Sequence, residues 1–420
     1  MQRWFGSTGL PDAARGVQMS VPDQPALLTL ERLTRVQRPI GHATGLPNVA
    51  YTSDAYFHHE REAVIGRTWA GIAFTDSIPE RPFAQPIEFM GLPLLVVRDR
   101  HGVLRVFHNV CSHRGMKLVG EPTEVRGVIT CRYHCWSYAT NGELRGTPHI
   151  GGVDQHHSNG FDNAAHGLKP VRSAVFLGIL FVNLSGDAPD FERYAAGLMA
   201  RAEQLLGRDG WAQLHGGLSD SRLSLVAHCN WKLAAENYCE AYHLPWVHPE
   251  LNSYSKLEDH YCFLGDAFAG QGSLSYRGSD IAGAHLPRLA AWPAERVQVA
   301  EYPILYPNVL LGFQADHAFA ILLTPEAPNR TREELRIFYV GDGATQDTYR
   351  ACRAATLAAW RIVFEQDLMA VEQLQLGRAS PGYDGGVFSP AMDTVTHHFH
   401  AWVAARLEER LRREAVTGAR

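Results

Sequence analysis

Residues 107–115 read FHNVCSHRG, and residues 131–144 read CRYHCWSYATNGEL. The first holds Cys111-Ser112-His113 and the second Cys131-Arg132-Tyr133-His134, with 17 residues between His113 and Cys131. Two thiolates and two imidazoles on two loops make a four-ligand metal site. That donor set suits zinc or iron–sulfur chemistry and not calcium or magnesium. One reading is a structural zinc site, although such sites more often group Cys with Cys and His with His. The other is a [2Fe–2S] cluster with two Cys on one iron and two His on the other. The Cys-before-His order in both loops favours the cluster.

The surrounding pattern is all-β. Between Ile87 and Leu184 the runs PLLVV, LRVFHNV, GVITC, WSYAT, ELRG and VFLGILFVNL predict six strands. Asn141-Gly142 predicts a type I′ hairpin turn. Upstream, residues 1–45 are Pro-, Gly- and polar-rich and predict a loose arm. Met19 reads as a more natural beginning than Met1. A helix is predicted from Ser53 to Ala70. After SGDAPDF, which reads as a linker, PDFERYAAGLMARAEQLL predicts a helix and SRLSLVAHC a strand. Asn230 then caps a helix through WKLAAENYCEAYH. EYPILYPNVLLGFQ, AFAILLTPEA and EELRIFYVG predict strands, with APNRTREE as a turn. A long helix runs to a C-cap at Gly377, and a last one covers Thr394 to Arg413. The expected division is an arm over 1–49, a β domain over 50–187 and a second domain over 188–420.

Composition bounds the class. The chain has 420 residues, 45% hydrophobic and 20% charged, with a formal net charge of −5. A large core is possible, and global disorder is excluded. No basic block supports nucleic-acid binding. The longest apolar run, Val175 to Val182, is far short of the ~20 residues that span a bilayer. The opening MQRWFGSTGLPDAARG has no apolar signal region, so a cytoplasmic protein is expected. Seven cysteines form an odd, sparse set that does not read as a disulfide framework.

The second constellation is NWKLAAENYCEAYHLPWVHPEL, from Asn230 to Leu251. Read as one helix, it puts Glu240 and His243 on a shared face. Pro245 ends that helix, and His248 lies in the following turn. Such histidines, taken alone, are more often hydrogen-bonded structural residues than ligands.

Together these residues resemble a known family. FHNVCSHRG and CRYHCWSYATNGEL resemble the Rieske domain of bacterial ring-hydroxylating oxygenases. NWK-x3-EN-x2-E-x-YH-x4-H resembles the iron-binding motif of the same family. The resemblance spans roughly residues 50–415 and implies the α subunit of a Rieske non-haem iron oxygenase. It implies an α+β fold, an all-β Rieske domain joined to a helix-grip-like catalytic domain with a central antiparallel sheet. It implies that Cys111, His113, Cys131 and His134 hold a [2Fe–2S] cluster, and that His243, His248 and Asp367 hold one Fe(II). Glu365 and Glu372 are the other candidates for the carboxylate. Such a triad leaves positions open for O2. Glu240 stands where the family's acid links the Rieske histidine of one subunit to the iron ligand of the next. A homotrimer and a separate NAD(P)H-dependent reductase, with or without a ferredoxin, are also implied. The chain itself lacks a Gly-x-Gly-x-x-Gly dinucleotide fingerprint.

Two departures matter. Cys135 stands where the family usually has Gly. SHRGMKLVG offers it no partner, so it reads as a free thiol. Glu240 replaces the usual Asp, with one residue fewer before it. That combination resembles the subgroup acting on choline, betaine and carnitine, and implies hydroxylation or oxidative demethylation of a quaternary ammonium compound. Tyr238, Tyr242, Trp246, Tyr254, Tyr261, Tyr276 and Phe313 are candidates for an aromatic cage around the cation. The alternative is an aromatic-ring dioxygenase or O-demethylase. A pure electron-transfer protein and a zinc-bearing binding protein are the readings outside this class.

Overall fold

The computed structural model describes residues 28–277 and 285–417. The expectations about Met19 and the first half of the arm lie outside these residues. The first ten strands are β1 (Ala70–Phe74), β2 (Phe83–Phe89), β3 (Leu92–Arg98), β4 (Leu104–His108), β5 (Thr123–Glu124), β6 (Val128–Thr130), β7 (Ser137–Ala139), β8 (Leu144–Gly146), β9 (Pro170–Phe176) and β10 (Ile179–Asn183). Seven of them form an antiparallel sheet in the order β1-β10-β9-β4-β3-β2-β5. β6, β7 and β8 form a small separate sheet. The Cys111 loop leaves the end of β4, and the Cys131 loop joins β6 to β7, so both metal-ligand loops are anchored on strands.

The second sheet is built from β11 (Leu214–Gly216), β12 (Arg222–Ala227), β13 (His260–Leu264), β14 (Phe268–Ser273), β15 (Ala300–Leu305), β16 (Val309–Phe313), β17 (His317–Ala327) and β18 (Arg330–Val340). Its order is β11-β18-β17-β16-β15-β14-β13, and β12 also pairs with β18. β17 is a near-continuous apolar run because both of its faces are covered. Phe319, Ile321 and Leu323 join Trp360 and Phe364 of the Arg350–Gly377 helix in one core. Ala318, Ala320 and Leu322 join Ile179 and Phe181 of the first sheet in another.

The two sheets are tied where they meet. The buried Asn308 side chain accepts the Gly71 N–H (3.0 Å) and donates to the Gly71 and Leu323 carbonyls (2.8 Å each). A Cβ on Gly71 would come within 2.8 Å of both Leu322 and Val309. A glycine is what lets β1 approach the second sheet this closely.

Behind the second sheet, Asn230 caps the Trp231–Tyr238 helix by accepting from the Lys232 N–H. The fully buried Lys232 ammonium lies 2.8 Å from Glu60 Oε1 and 2.7 Å from Asn230 Oδ1. Trp231 Nε1 donates to the same Glu60 carboxylate at 2.9 Å. Residue 230 therefore satisfies a helix end and a buried cation together.

Several expectations need correction. Residues 28–45 are not a loose arm. Thr29 caps a helix, Leu30–Val36, whose Leu33 and Val36 are fully buried. The Ser53–Ala70 helix is shorter: Ser53 is its cap, Asp54–Glu60 is α-helical, Arg61–Ile65 is a π turn, and Ala70 already opens β1. VFLGILFVNL is the heart of a hairpin, β9–β10, turning at Leu177 and Gly178, which both have positive φ. At Asn141-Gly142 only Gly142 has positive φ, and Glu143 N–H bonds back to Asn141 Oδ1. That turn is a longer loop with a left-handed glycine and not type I′. EYPILYPNVLLGFQ likewise folds back, as β15 and β16. The long helix starts at Arg350 and keeps Gly377 inside it, with Arg378 at the C-cap. The last helix extends to Thr417.

Lys232→Met tests the buried pair. It leaves Glu60 ionised and unpaired in the core, so a loss of about 3–5 kcal/mol is expected in chemical denaturation. Glu60→Gln in the same chain should recover part of that loss.

Candidate metal centres

The two Cys-His loops are built alike. Cys111 N–H donates to Met116 O (2.8 Å) and Gly115 N–H to Cys111 O (3.0 Å); Cys131 N–H donates to Trp136 O (2.8 Å) and Cys135 N–H to Cys131 O (3.0 Å). Gly115 has φ +74° and Cys135 has φ +57°. Cys135 therefore occupies the left-handed position that the partner loop fills with glycine, at a steric cost that a Cβ imposes. Its side chain is exposed and unbridged.

The ligand candidates converge between these loops. The Cys111 and Cys131 thiols are both buried, and burial raises the Cys131 thiol, with the Cys111 sulfur adding to that rise. Tyr138 Oη lies 3.2 Å from Cys111 Sγ and accepts the Ser112 N–H at 3.0 Å. The His113 and His134 rings are 4.6 Å apart, and His113 stacks on Trp136. Buried His134 Nδ1 has no protein partner. Among the described residues, the only three or more donor atoms all within 4.8 Å of one another belong to His243, His248 and Asp367. The Cys-His quartet is thus spread wider than one zinc ion requires, since Zn–ligand bonds of ~2.0–2.3 Å draw donors together. A cluster with its ligands divided between two irons fits that spread and the orphaned nitrogen.

The second centre lies beyond the Trp231–Tyr238 helix. That helix stops at Tyr238, so Glu240 and His243 are not on it. His243 instead precedes a short helix, Leu244–Val247, with Pro245 in its first turn. His248 sits between this and the Pro249–Tyr254 helix with φ −124° and ψ 60°. Pro245 starts a helix here where the sequence suggested it ended one, as suits its fixed φ. Asp367 projects from the middle of the long helix. Its Oδ1 lies 2.8 Å from His248 Nε2 and 3.6 Å from His243 Nε2.

The other imidazole nitrogens are already engaged. His243 Nδ1 is 2.6 Å from Glu240 Oε1, and Glu240 Oε2 accepts the His243 backbone N–H. His248 Nδ1 is 2.7 Å from Gln366 Oε1. A carboxylate and an amide oxygen only accept, so each Nδ1 carries hydrogen, which leaves each Nε2 as the nitrogen that can give its lone pair to a metal shared with Asp367; without metal, the 2.8 Å contact of His248 Nε2 with that carboxylate carries a proton. Two His and one carboxylate, with further positions open, suit non-haem Fe(II). Burial alone would lower the His248 imidazole, but its bond to Asp367 outweighs it and holds it raised. A proton and a metal compete for that Nε2, so metal affinity falls as pH drops. The other acids point elsewhere. Glu372 accepts the His228 N–H, and Glu365 pairs with Arg361 at the surface. Gln366 was not anticipated; its place beside Asp367 was the available signal.

A cavity opens beside this triad, with roughly 470 Å³ of atom-free space including its mouth. Tyr238, Tyr302, Trp360 and Phe364 form its aromatic wall, and among the described residues no Lys or Arg lines it. Of the seven cage candidates only Tyr238 lines it. Tyr276 stacks behind Trp360 and Tyr254 lies against Tyr276. Tyr242 and Trp246 are exposed (44% and 71%), Tyr261 bonds Glu301, and Phe313 is in the core. Trp360, Phe364 and Asp367 recur at helical spacing, the pattern that marks one helix face.

A fold of this kind, with thiolate–imidazole loops and a His-His-Asp triad, defines an iron-dependent oxidoreductase. The comparisons agree. Residues 68–157 match the family described as Rieske [2Fe-2S] domain, and residues 214–409 match that described as ring hydroxylating alpha subunit (catalytic domain). The chain is 27% identical over 356 residues to the carnitine monooxygenase oxygenase subunit of Acinetobacter baumannii, covering 81% of this chain and 86% of that one. It is 25% identical over 369 residues to the chloroplastic choline monooxygenase of Arabidopsis thaliana, covering 86% and 82%. The quaternary ammonium Rieske monooxygenase CntA, solved with L-carnitine, shares the fold with a TM-score of 0.69 at 23% identity, covering 90% of this chain and 99% of that one. The chain belongs to the Rieske non-haem iron oxygenase α subunits, which carry a [2Fe–2S] cluster and a mononuclear iron. Subunits of this family work with a reductase and usually form trimers. Among the described residues no helix is long and apolar enough to cross a membrane.

Two variants test these centres. Cys135→Gly should stabilise the protein by about 1 kcal/mol in thermal or chemical denaturation, because it relieves a left-handed non-glycine residue. Gln366→Leu should weaken iron binding about 10- to 100-fold in a chelator competition, because His248 loses the acceptor that sets its tautomer.

Proposed function

We propose that this chain is the terminal oxygenase of a system that hydroxylates or oxidatively demethylates a small quaternary ammonium compound. One observation carries the reading. The cavity beside the His-His-Asp triad is lined by four aromatic side chains and by carboxylates, with no lysine or arginine among the described residues. A quaternary ammonium cannot donate hydrogen bonds, and aromatic faces attract it electrostatically. Glu240, which also lines the cavity, adds charge of the favourable sign, whereas the Asp367 charge is offset by the iron it would hold. The relatives that act on carnitine and choline support the choice of substrate class.

The residues take these roles. Cys111, His113, Cys131 and His134 hold the cluster, and His243, His248 and Asp367 hold the iron. When bound, the cluster supplies electrons singly and the iron supplies O2 activation. Glu240 orients His243 through its Nδ1–H. Its remaining lone pairs accept the Rieske histidine of a neighbouring subunit in a homotrimer, which links the centres of two chains. Gln366 orients His248. Tyr238, Tyr302, Trp360 and Phe364 position the cation and keep water from the reacting carbon. A separate NAD(P)H-dependent reductase, directly or through a ferredoxin, delivers the electrons to a cytoplasmic enzyme.

A single turnover of chemically reduced protein under labelled O2 tests the reading. Quaternary ammonium compounds and aromatic acids are offered together, and products are read by mass spectrometry. The expected products are a hydroxylated ammonium compound carrying one labelled oxygen, or an unlabelled demethylated amine together with labelled formaldehyde. An aromatic product with two labelled oxygens would return the chain to the ring-dihydroxylating enzymes.

A further inference from the structure

The aromatic wall of the cavity has a charged support that the reaction itself does not require. Trp360 is the cavity's one tryptophan among its lining residues, and it is nearly fully buried. Its indole Nε1–H donates to His317 Nε2 at 3.0 Å. The indole has a donor only, so His317 Nε2 must be bare and the proton must sit on Nδ1. His317 Nδ1 lies 2.7 Å from Asp316 Oδ1 and therefore donates to it. His317 is buried and Asp316 is mostly shielded (17% exposed). Burial alone would raise the Asp316 carboxyl, but the contact with His317 outweighs it and holds it below the usual range. Arg288 acts on the same carboxyl more weakly. The chain of groups is thus carboxylate, neutral imidazole, indole, cavity.

We infer that Asp316 and His317 are specificity-determining residues that tune Trp360 for a cationic substrate. Hydrogen bonds in series polarise one another in a shielded interior. A carboxylate at the far end pushes electron density through the imidazole toward the indole. The indole, which lines the cavity, becomes more negative on its faces. Its attraction for a cation rises, while its dispersion contact with a neutral group of the same shape does not. The same bonds fix the plane of the ring. Trp360 stacks on Tyr276 on one side of this arrangement and on Phe364 along the helix, so its orientation is over-determined by packing. Orientation alone therefore does not account for a buried acid at this position. His317 opens β17 and Asp316 immediately precedes it. They lie outside the residues that line the cavity.

The inference rests on the quaternary ammonium reading, and its test separates the two. Dissociation constants are measured on the full-length holoenzyme by calorimetry for choline and for its uncharged carbon isostere, 3,3-dimethylbutan-1-ol. Wild-type protein should prefer choline. Asp316→Asn retains an acceptor for the His317 N–H, so the ring stays in place. The choline preference should fall about three- to tenfold, with the isostere bound as before. Trp360→Phe should lose a similar share of the preference, and Asp316→Asn added to it should change nothing further. A wild-type enzyme with no preference for the cation would overturn both readings. A wild-type preference that Asp316→Asn leaves intact would overturn this inference alone. So would an equal effect of Asp316→Asn with and without Trp360, because the charge would then act through space and not through the indole.

Discussion

The ammonium of Lys232 is fully buried, and two distant parts of the chain have to meet for that to be tolerable. Glu60 comes from the N-terminal helical region, Asn230 from the turn after β12, and Lys232 from the helix that leads to the iron site. An unpaired ammonium there would cost several kcal/mol, whereas a paired and hydrogen-bonded one is tolerated. Burial opposes the charge on both partners, raising Glu60 and lowering Lys232, and their mutual attraction opposes that shift. The pair therefore acts as a register lock more than as a source of stability. With Trp231 on the same carboxylate, the helix can seat in one rotation only. Glu240 and His243 follow within a few residues of that seat.

From there the site is organised by what each imidazole does with its far nitrogen. Glu240 and Gln366 accept from the two Nδ1–H groups, and both Nε2 atoms converge on Asp367. Gln366 and Asp367 are neighbours on one helix, so a single segment supplies a ligand and the orientation of another ligand. Three and seven residues earlier on the same helix, Phe364 and Trp360 line the same cavity. The long helix thus delivers metal binding and substrate shape together. This explains its close packing against β17, whose Phe319 contacts both aromatic rings.

The cluster site was legible at the level of residue type. The Cys-x-His and Cys-x-x-His donor set could be read from residue chemistry and order along the chain, whereas the roles proposed for Glu240, His243, His248 and Asp367 came from the family resemblance. The local backbone was less legible. Leu177-Gly178 makes the tight turn that Asn141-Gly142 advertised, because strand pairing selects which glycine closes a hairpin. Pro245 begins a helix where its reputation as a terminator suggested an end. The cage was mostly misread. Tyr242 and Trp246 flank the ligands in sequence yet face outward, whereas Tyr302 and Trp360 come from distant segments.

The sequence by itself determined the chemistry, because metal choice depends on donor types, and those are written residue by residue. It also determined the alternation of a β unit with a mixed one, because burial periodicity is local. Tertiary structure alone decided which side chains share a space. The Asn308 link across the two sheets joins residues 237 positions apart, and the Glu236 contacts with Tyr51, Arg378 and His400 each join residues well over a hundred apart. The Asp316-His317-Trp360 line depends equally on β17 lying beneath the long helix. Hydrogen bonds and aromatic faces act over a few ångströms, and only the packed chain brings those atoms within reach.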